Sequence, residues 1–376
     1  MEDFNIENGE FKSIKRGVKK GNTFLRIIIL LALIFIICIL AFYIWYKNGI
    51  KPVNKNENKE VIFQIKENST VRDLGKILKE NGLIRSEKAY KIYVKKHNVN
   101  LINKGRYKAD KEMGLEKILD MIKKGEVFTN DINLTILEGY KIEQIIDLVA
   151  KETKITKEEM KNTLLDKEYI KELCKKYSFL DEKEVLNPDL KYPLEGYIAP
   201  NTYKFDKDLI TPKQIIELSL NEMERILKKH EKRLNEISFN THEVLTIASV
   251  VEKEVRNMDD APEVAGLFIN RLNNNMPLGS DPTTHYEVDT PLSEPLTVAQ
   301  LNTQGKFNTR GPNMEGKLPA GPIASPSEKA INAVLNYKNT DALYFVSDKN
   351  GKIYFTKNFS EHESIIQKLK NQKLWH

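Results

Sequence analysis

The sequence predicts an α+β protein carried behind a single membrane-spanning helix. Three observations predict it. Residues 27–46 form an uncharged, mostly apolar run. After that run, short stretches alternate apolar and polar residues with the period of a strand. Between those stretches lie longer segments with apolar residues three or four apart, opened by capping residues and closed by glycine, as amphipathic helices are. With 376 residues there is room for two or three domains.

The run reads IIILLALIFIICILAFYIWY, the length needed to cross a bilayer as a helix. Tyr43, Trp45 and Tyr46 stand at its far end, where aromatic rings favour the membrane interface. The run is too long for a signal-peptide core, and no small-residue cleavage site follows it. Lys12, Lys15, Arg16, Lys19, Lys20 and Arg26 precede it, and Lys47, Lys51, Lys55 and Lys59 follow. That excess places the N-terminus in the cytoplasm and the rest of the chain outside. Residues 1–26 read as a polar cytoplasmic tail without regular structure, and residues 47–60 as a linker. Cys38 lies in the span and Cys174 in the outer region, so the two cysteines form no disulfide.

Val61, Phe63 and Ile65 mark a strand opening a subdomain over residues 61–128. A helix follows over 70–81, with Val71, Leu74, Ile77 and Leu78 on one face and Gly82 as its stop. Ser86 starts a second helix to Lys96, residues 105–109 a second strand, and residues 115–124 a helix ended by Gly125. A similar unit then opens a larger domain over 129–376. Ile132, Leu134 and Ile136 alternate, Glu138-Gly139 turns, and residues 142–151 are helical. Thr156 with Glu159, and Thr211 with Gln214, are capping boxes for helices reaching Leu165 and Asn235. Asp260 is placed to cap a helix containing residues 262–274, and Thr297 to open a short one. Two apolar runs around Asn350-Gly351 predict a hairpin, and residues 360–374 a closing helix.

Charge and motifs exclude several classes. The net charge of +6 is spread along a Lys-rich chain without an arginine–aromatic pattern for nucleic acid. It suits a polyanionic wall or a membrane surface. His242-Glu243 begins like a zinc-protease motif, but Thr246 stands where the second histidine belongs. No phosphate-binding loop, dinucleotide fingerprint or nucleophile elbow occurs. No metal or other cofactor is expected.

Residues 241–257, THEVLTIASVVEKEVRN, are the place for the chemistry. Thr241 is read as the N-cap, and Glu243 adds negative charge to the first turn. Val244, Leu245, Ile247, Ala248, Val250, Val251 and Val255 make a wide apolar face. Glu252 and Glu254 fall about 80° to either side of its centre, at half-buried borders. A carboxyl group there resists ionisation and can serve as a general acid. From the helix alone, an ordinary surface ion pair between Glu252 and Arg256, four residues on, is the commoner explanation of such a border glutamate. Helical geometry alone does not choose between Glu252 and Glu254.

Four polar loops rich in Gly, Pro, Asn and Thr accompany this helix, at 194–203, 279–286, 307–310 and 318–326. Their amides, hydroxyls and aromatic faces suit a sugar, although turn chemistry favours the same residues. Loops and helix, in this order, resemble the YceG/MltG-like family of endolytic murein transglycosylases. The matching residues are Glu195-Gly196 with Pro200-Asn201-Thr202-Tyr203, and Ala248-Ser249-Val250-Val251-Glu252-Lys253-Glu254. Phe268-Ile269-Asn270-Arg271-Leu272 and Ser280-Asp281-Pro282-Thr283 with Tyr286 follow. Phe307-Asn308-Thr309-Arg310 and Leu318-Pro319-Ala320-Gly321-Pro322-Ile323 complete the set. Asn201, Gly279 and Arg310 depart from the aspartate, glutamine and tyrosine of the family pattern. The 61–128 region resembles the small strand–helix–helix–strand LysM module, which binds glycans containing N-acetylglucosamine.

The resemblance implies that Glu252 is catalytic and Glu254 supporting. It implies glycan contacts from Glu195, Tyr203, Ser280, Asp281, Thr283, Asn308 and Thr309. The implied activity is cleavage within peptidoglycan strands between N-acetylmuramic acid and N-acetylglucosamine, leaving 1,6-anhydro ends and terminating nascent strands. The implied setting is the outer face of a bacterial cell membrane, beside wall-synthesis enzymes. A hydrolase using Glu252, Asp281 and water, and a non-catalytic glycan-binding scaffold, remain as rivals.

Overall fold

The structure, a computed structural model, describes residues 4–7, 10–13, 23–55 and 59–375. The chain divides into two units, residues 1–129 and 130–376. In the first, β1 (Phe4–Glu7) pairs antiparallel with β2 (Glu10–Ser13), where an irregular tail was expected. The rest of that tail lies outside the described residues. Helix α1 (Thr23–Ile50) runs beyond both ends of the expected span. Among the described residues it is the one helix long and apolar enough to cross a membrane, and its apolar stretch is unburied. Its last turn differs. Tyr46 is buried, and Gly49 lies so near Ala89 that a Cβ there would come within 2.5 Å.

The remainder of this unit is β3 (Glu60–Ile65), α2 (Val71–Glu80), α3 (Glu87–Lys96), β4 (Gly105–Asp110) and α4 (Leu115–Lys124). β3 and β4 are antiparallel with Phe63 opposite Tyr107. Strand–helix–helix–strand is the order that the LysM resemblance implies. Thr70 caps α2 through a reciprocal box with Asp73, and Gly125 ends α4 in the left-handed conformation. Gly75 admits the Tyr90 ring, which a Cβ would meet at 2.5 Å.

The second unit begins with β5 (Asp131–Ile136) and α5 (Ile142–Glu152). Then come α6 (Lys157–Leu165), α7 (Lys167–Lys176), α8 (Glu182–Val185) and β6 (Asn201–Asp206). β6 pairs antiparallel with β5, Tyr203 opposite Leu134. The end of the expected 194–203 loop is therefore strand, because Tyr203 and Phe205 alternate inward against the β5 apolar face. Both capping boxes form, at Thr156 for α6 and at Thr211 for α9 (Pro212–Lys229). The helix expected to reach Asn235 instead breaks at His230. α10 (Glu231–Glu236) follows, and its Arg233 donates to the Leu335 carbonyl.

Next are α11 (Thr241–Glu254), α12 (Ala261–Asn273), α13 (Asp281–Val288), α14 (Val298–Leu301) and α15 (Glu328–Leu335). The Asn350-Gly351 hairpin forms from β7 (Tyr344–Ser347) and β8 (Ile353–Thr356), and α16 (Phe359–Asn371) closes the chain. Asn240, not Thr241, caps α11. Its side chain accepts from the Glu243 amide and the Glu243 carboxylate accepts from its own, since three residues is the reach of a capping box. Asp260 precedes α12 without capping it, because its own backbone is already helical and turns the side chain off the amides. Asn358 caps α16. The 279–286 segment, expected as a loop, is largely α13, with Ser280 at the cap position and proline in the first turn.

Residues 244–251 are buried without a break, so α11 is buried all round rather than along one stripe. It packs against α12, α13 and α15.

Candidate active site

Along one face of α11 lies the irregular chain 318–327. His242 meets the Ala320 carbonyl at 3.1 Å, and the Ile323 amide donates to Ser249 Oγ at 3.0 Å. Further on, Glu252 Oε2 accepts from both the Ser327 amide (3.0 Å) and the Ser327 hydroxyl (2.6 Å). Ser327 also caps α15, so Glu252 is held at that helix's first turn. The segment is tied in turn to the Glu138-Gly139 turn, through Gly139 N to Ser325 O and Ser325 N to Tyr140 O, each 2.8 Å. Gly139 is required by its backbone conformation and lies against the α11 residues Lys253 and Glu252. Its φ is +72°, and a Cβ would stand 3.4 Å from Lys253 and 3.7 Å from Glu252.

Glu252 is half-buried, as its border position requires. Burial raises its carboxyl above the ordinary value, the Ser327 bonds oppose that rise, and the Glu138 charge adds to it. The ion pair with Arg256 does not form. α11 ends at Glu254, so Arg256 is not one helical turn beyond Glu252. Lys253, also half-buried, donates to the Gly139 carbonyl at 3.2 Å, and burial lowers its ammonium.

Glu254 occupies the opposite border. Ser280 Oγ donates to it at 2.5 Å. Burial pushes it up to about 7, with the Ser280 bond and the charges of Arg310 and Arg271 opposing and that of Asp281 adding. Asp281 pairs with Arg310, and Arg271 is pinned on the carbonyls of Leu278 and Leu343. Gly279 (φ +61°) turns beside Arg271, which a Cβ would approach to 3.1 Å.

Five of the residues implied for glycan contact form one wall on the Glu254 side. Thr309 Oγ1 accepts from the Ser280 amide and shares a bond with Thr283 Oγ1, while Thr283 donates to the Ser280 carbonyl. Asn308 donates to the carbonyls of Leu301 and Thr303 and accepts from Thr284. Ser280, Thr283, Asn308 and Thr309 are thus buried and bonded within the protein, and Asp281 stays exposed with Arg310. The other two stand apart. Tyr203 donates to the Ala199 carbonyl from within β6. Glu195, 2% exposed, accepts from the Ile142 amide and the Tyr286 hydroxyl, both at 3.1 Å. It fills the N-terminus of α5, where Lys141 has no acceptor to offer. Burial pushes Glu195 up to about 8, and the neighbouring Glu143 charge adds to this.

Lys253 lines one concavity and Glu138 another. The first, of about 240 Å³, is lined by Lys141, Lys253 and Tyr286, by Gln144, His285 and Thr290, and by the apolar Pro282, Pro291, Leu292 and Ile323. The other, a shallow groove of about 520 Å³, is lined by Glu138, Pro200, Asn201 and Thr202. Sequence reasoning had missed Ser327, Glu138, Lys253 and Lys141. Ser327 carried a readable signal, a serine three residues before Ala330 and an apolar pattern of helical period. For the other three the chain offers only a turn and two ordinary lysines.

The family model described as YceG-like matches residues 63–368. The chain belongs to the YceG-like family. This YceG-like chain is 31% identical over 334 residues to the endolytic murein transglycosylase of Bacillus subtilis strain 168, covering 88% of its own length and 91% of the relative's. It is 30% identical over 348 residues to the protein of that name in Streptococcus pneumoniae serotype 2 strain D39, spanning 88% of itself and 62% of the relative. A crystal structure of a YceG-like protein from Listeria monocytogenes superposes with a TM-score of 0.59 at 30% identity, over 82% of this chain and 99% of that one.

Proposed function

We propose that this YceG-like chain is a membrane-anchored lytic transglycosylase that cuts within peptidoglycan strands, with Glu252 as its acid and base. The observation that carries this reading is the setting of Glu252. It is half-buried, its carboxyl is raised by that burial, and it borders the Glu138-Gly139 turn. Both Ser327 bonds fall on Oε2, which leaves Oε1 for substrate. Protonated, Glu252 donates to the glycosidic oxygen as its bond to the muramic acid C1 breaks. The carboxylate then takes the proton of the muramic acid 6-hydroxyl as O6 bonds to C1, closing the 1,6-anhydro ring. The nucleophile is already part of the sugar, and proximity supplies much of the advantage. A single carboxyl suffices, unlike the paired carboxylates of ordinary glycosidases. Asp281 bears on Glu254 and Arg310, which gives no support to a water-using pair of Glu252 and Asp281.

α1 supplies the anchor, with the basic flank before it held in the cytoplasm and the chain after it outside. There the enzyme would end nascent strands beside wall-synthesis enzymes, its LysM-like region holding glycan. Mass spectrometry of peptidoglycan digested by the full-length chain in detergent tests the chemistry. Anhydro ends are expected; reducing ends alone would make it a hydrolase, and intact strands a scaffold. A reporter fluorescent only in the cytoplasm, fused after His376, should stay dark. A bright fusion would refute the topology.

A further inference from the structure

The smaller cleft has a chemistry that cutting a glycan does not call for. Two ammonium groups line it, Lys141 and Lys253. Lys253 follows Glu252 in the chain, and one of its protons is taken by the Gly139 carbonyl. Lys141 is mostly covered, its side chain 27% exposed, and its nearest acid is Asp289 at 3.4 Å. Asp289 is three-quarters exposed and contributes little pairing across that distance in water. Behind the lysines is the Tyr286 ring, with Lys141 at 5.8 Å from its centre. Pro282, Pro291, Leu292 and Ile323 add apolar surface, with Leu292 half exposed, and Gln144, His285 and Thr290 complete the lining.

The sugar backbone of peptidoglycan is uncharged at its hydroxyls and acetamides. The anionic groups of the polymer are the carboxylates of the short peptide on each muramic acid lactyl ether, interspersed with small apolar side chains. Two half-desolvated ammoniums in a cleft that also offers apolar surface from Pro282, Pro291, Leu292 and Ile323 match that alternation. We propose that the cleft is a subsite for the substrate's peptide, with Lys141 and Lys253 receiving a peptide carboxylate beside the bond that Glu252 breaks. This rests on the functional reading above and adds that the enzyme distinguishes peptide-bearing from bare glycan. Burial lowers the Lys253 ammonium, the Glu252 charge opposes that and the Lys141 charge adds to it, so a carboxylate between the two lysines would offset their mutual repulsion.

Binding tests this apart from turnover. Full-length protein carrying Glu252→Gln, in detergent, is titrated with a disaccharide-peptide fragment bearing free carboxylates and with the same fragment amidated at every carboxyl. The free acid should bind about tenfold more tightly, as a charge-assisted contact would give. Adding Lys141→Met should remove that preference while leaving the amidated fragment unchanged, and Lys141→Arg should keep it. Equal affinities for the two fragments, no binding at all included, would overturn the subsite. So would a Lys141→Met loss equal for both. Failure of the functional reading looks different, since the parent would then release no anhydro ends, or Glu252→Gln would still release them, whatever the fragments do.

Discussion

Glu252 and Glu254 stand two residues apart on one helix, and α11 sends them into opposite surroundings. Both are half-buried and both have raised carboxyls. Glu252 is bonded to one residue, Ser327, through one oxygen, and its neighbours line open concavities. Glu254 is enclosed by Ser280, Asp281, Arg271 and Arg310, in a wall whose hydroxyls and amides are bonded to one another. A raised carboxyl is therefore not enough to mark the catalyst. Among the described residues each carboxyl also keeps one oxygen without a hydrogen bond, Oε1 of Glu252 and Oε2 of Glu254. The difference lies in their neighbours: Lys253 and Glu138 beside Glu252 line concavities, while Ser280, Asp281, Arg271 and Arg310 crowd Glu254.

The largest expected effect separates the two directly. Glu252→Gln should lower the rate of anhydro-end formation by about 10²–10⁴-fold, the usual contribution of a positioned acid–base group, with an unchanged melting profile. Glu254→Gln should stay within about tenfold of the parent, because glutamine can still accept from Ser280. The reverse pattern in purified proteins would assign catalysis to the enclosed site.

Ser327→Ala sharpens the contrast. It removes the hydroxyl that favours the Glu252 anion and leaves the backbone donor, so the carboxyl rises further. The high-pH limb of kcat/KM, where the acid loses its proton, should move upward by less than about one unit. Loss of the α15 cap should cost about 1 kcal/mol in a denaturant melt. A limb moving downward would contradict the assigned role of Ser327.

The enclosed carboxyls make a prediction about stability. A carboxyl raised in the folded state holds its proton after the unfolded chain has released it. Its stabilising influence is therefore full below about 4.5 and is lost as pH rises toward the folded value, about 7 for Glu254 and about 8 for Glu195. Within these windows each group lowers stability by up to about 1.4 kcal/mol per pH unit. Glu254→Gln should flatten the decline up to pH 7, and Glu195→Gln the decline up to pH 8, in melts taken from pH 5 to 8. Parallel curves for parent and variants would show that these carboxyls ionise freely. The smallest effect expected is for Arg256→Ala. With no Glu252 pair to break, stability should change by under about 0.5 kcal/mol and activity not at all.

Much of the fold was legible because its signals are local. The boxes at Thr156 and Thr211, the Gly125 stop and the Asn350-Gly351 hairpin each depend on residues a few positions apart, and each formed. The misreadings came where composition was ambiguous. A Ser-Asp-Pro-Thr run serves a turn or a helix start equally, and packing beside α11 made it α13. Thr241 and Asn240 are both good caps, and only Asn240 stands three residues before Glu243.

The site divides along the same line. The sequence by itself determined a buried helix with carboxyls at its two borders, because a period of 3.6 residues places side chains without reference to the rest of the chain. Its ordered motifs also carried the family. Only the tertiary structure decided what each carboxyl meets. Ser327 lies 75 residues from Glu252, Ser280 lies 26 from Glu254, and the Ile142 amide lies 53 from Glu195. Desolvation and hydrogen bonding set whether a buried carboxyl holds a proton and keeps an oxygen free. Both depend on groups that packing brings together across the chain, so no local pattern encodes them.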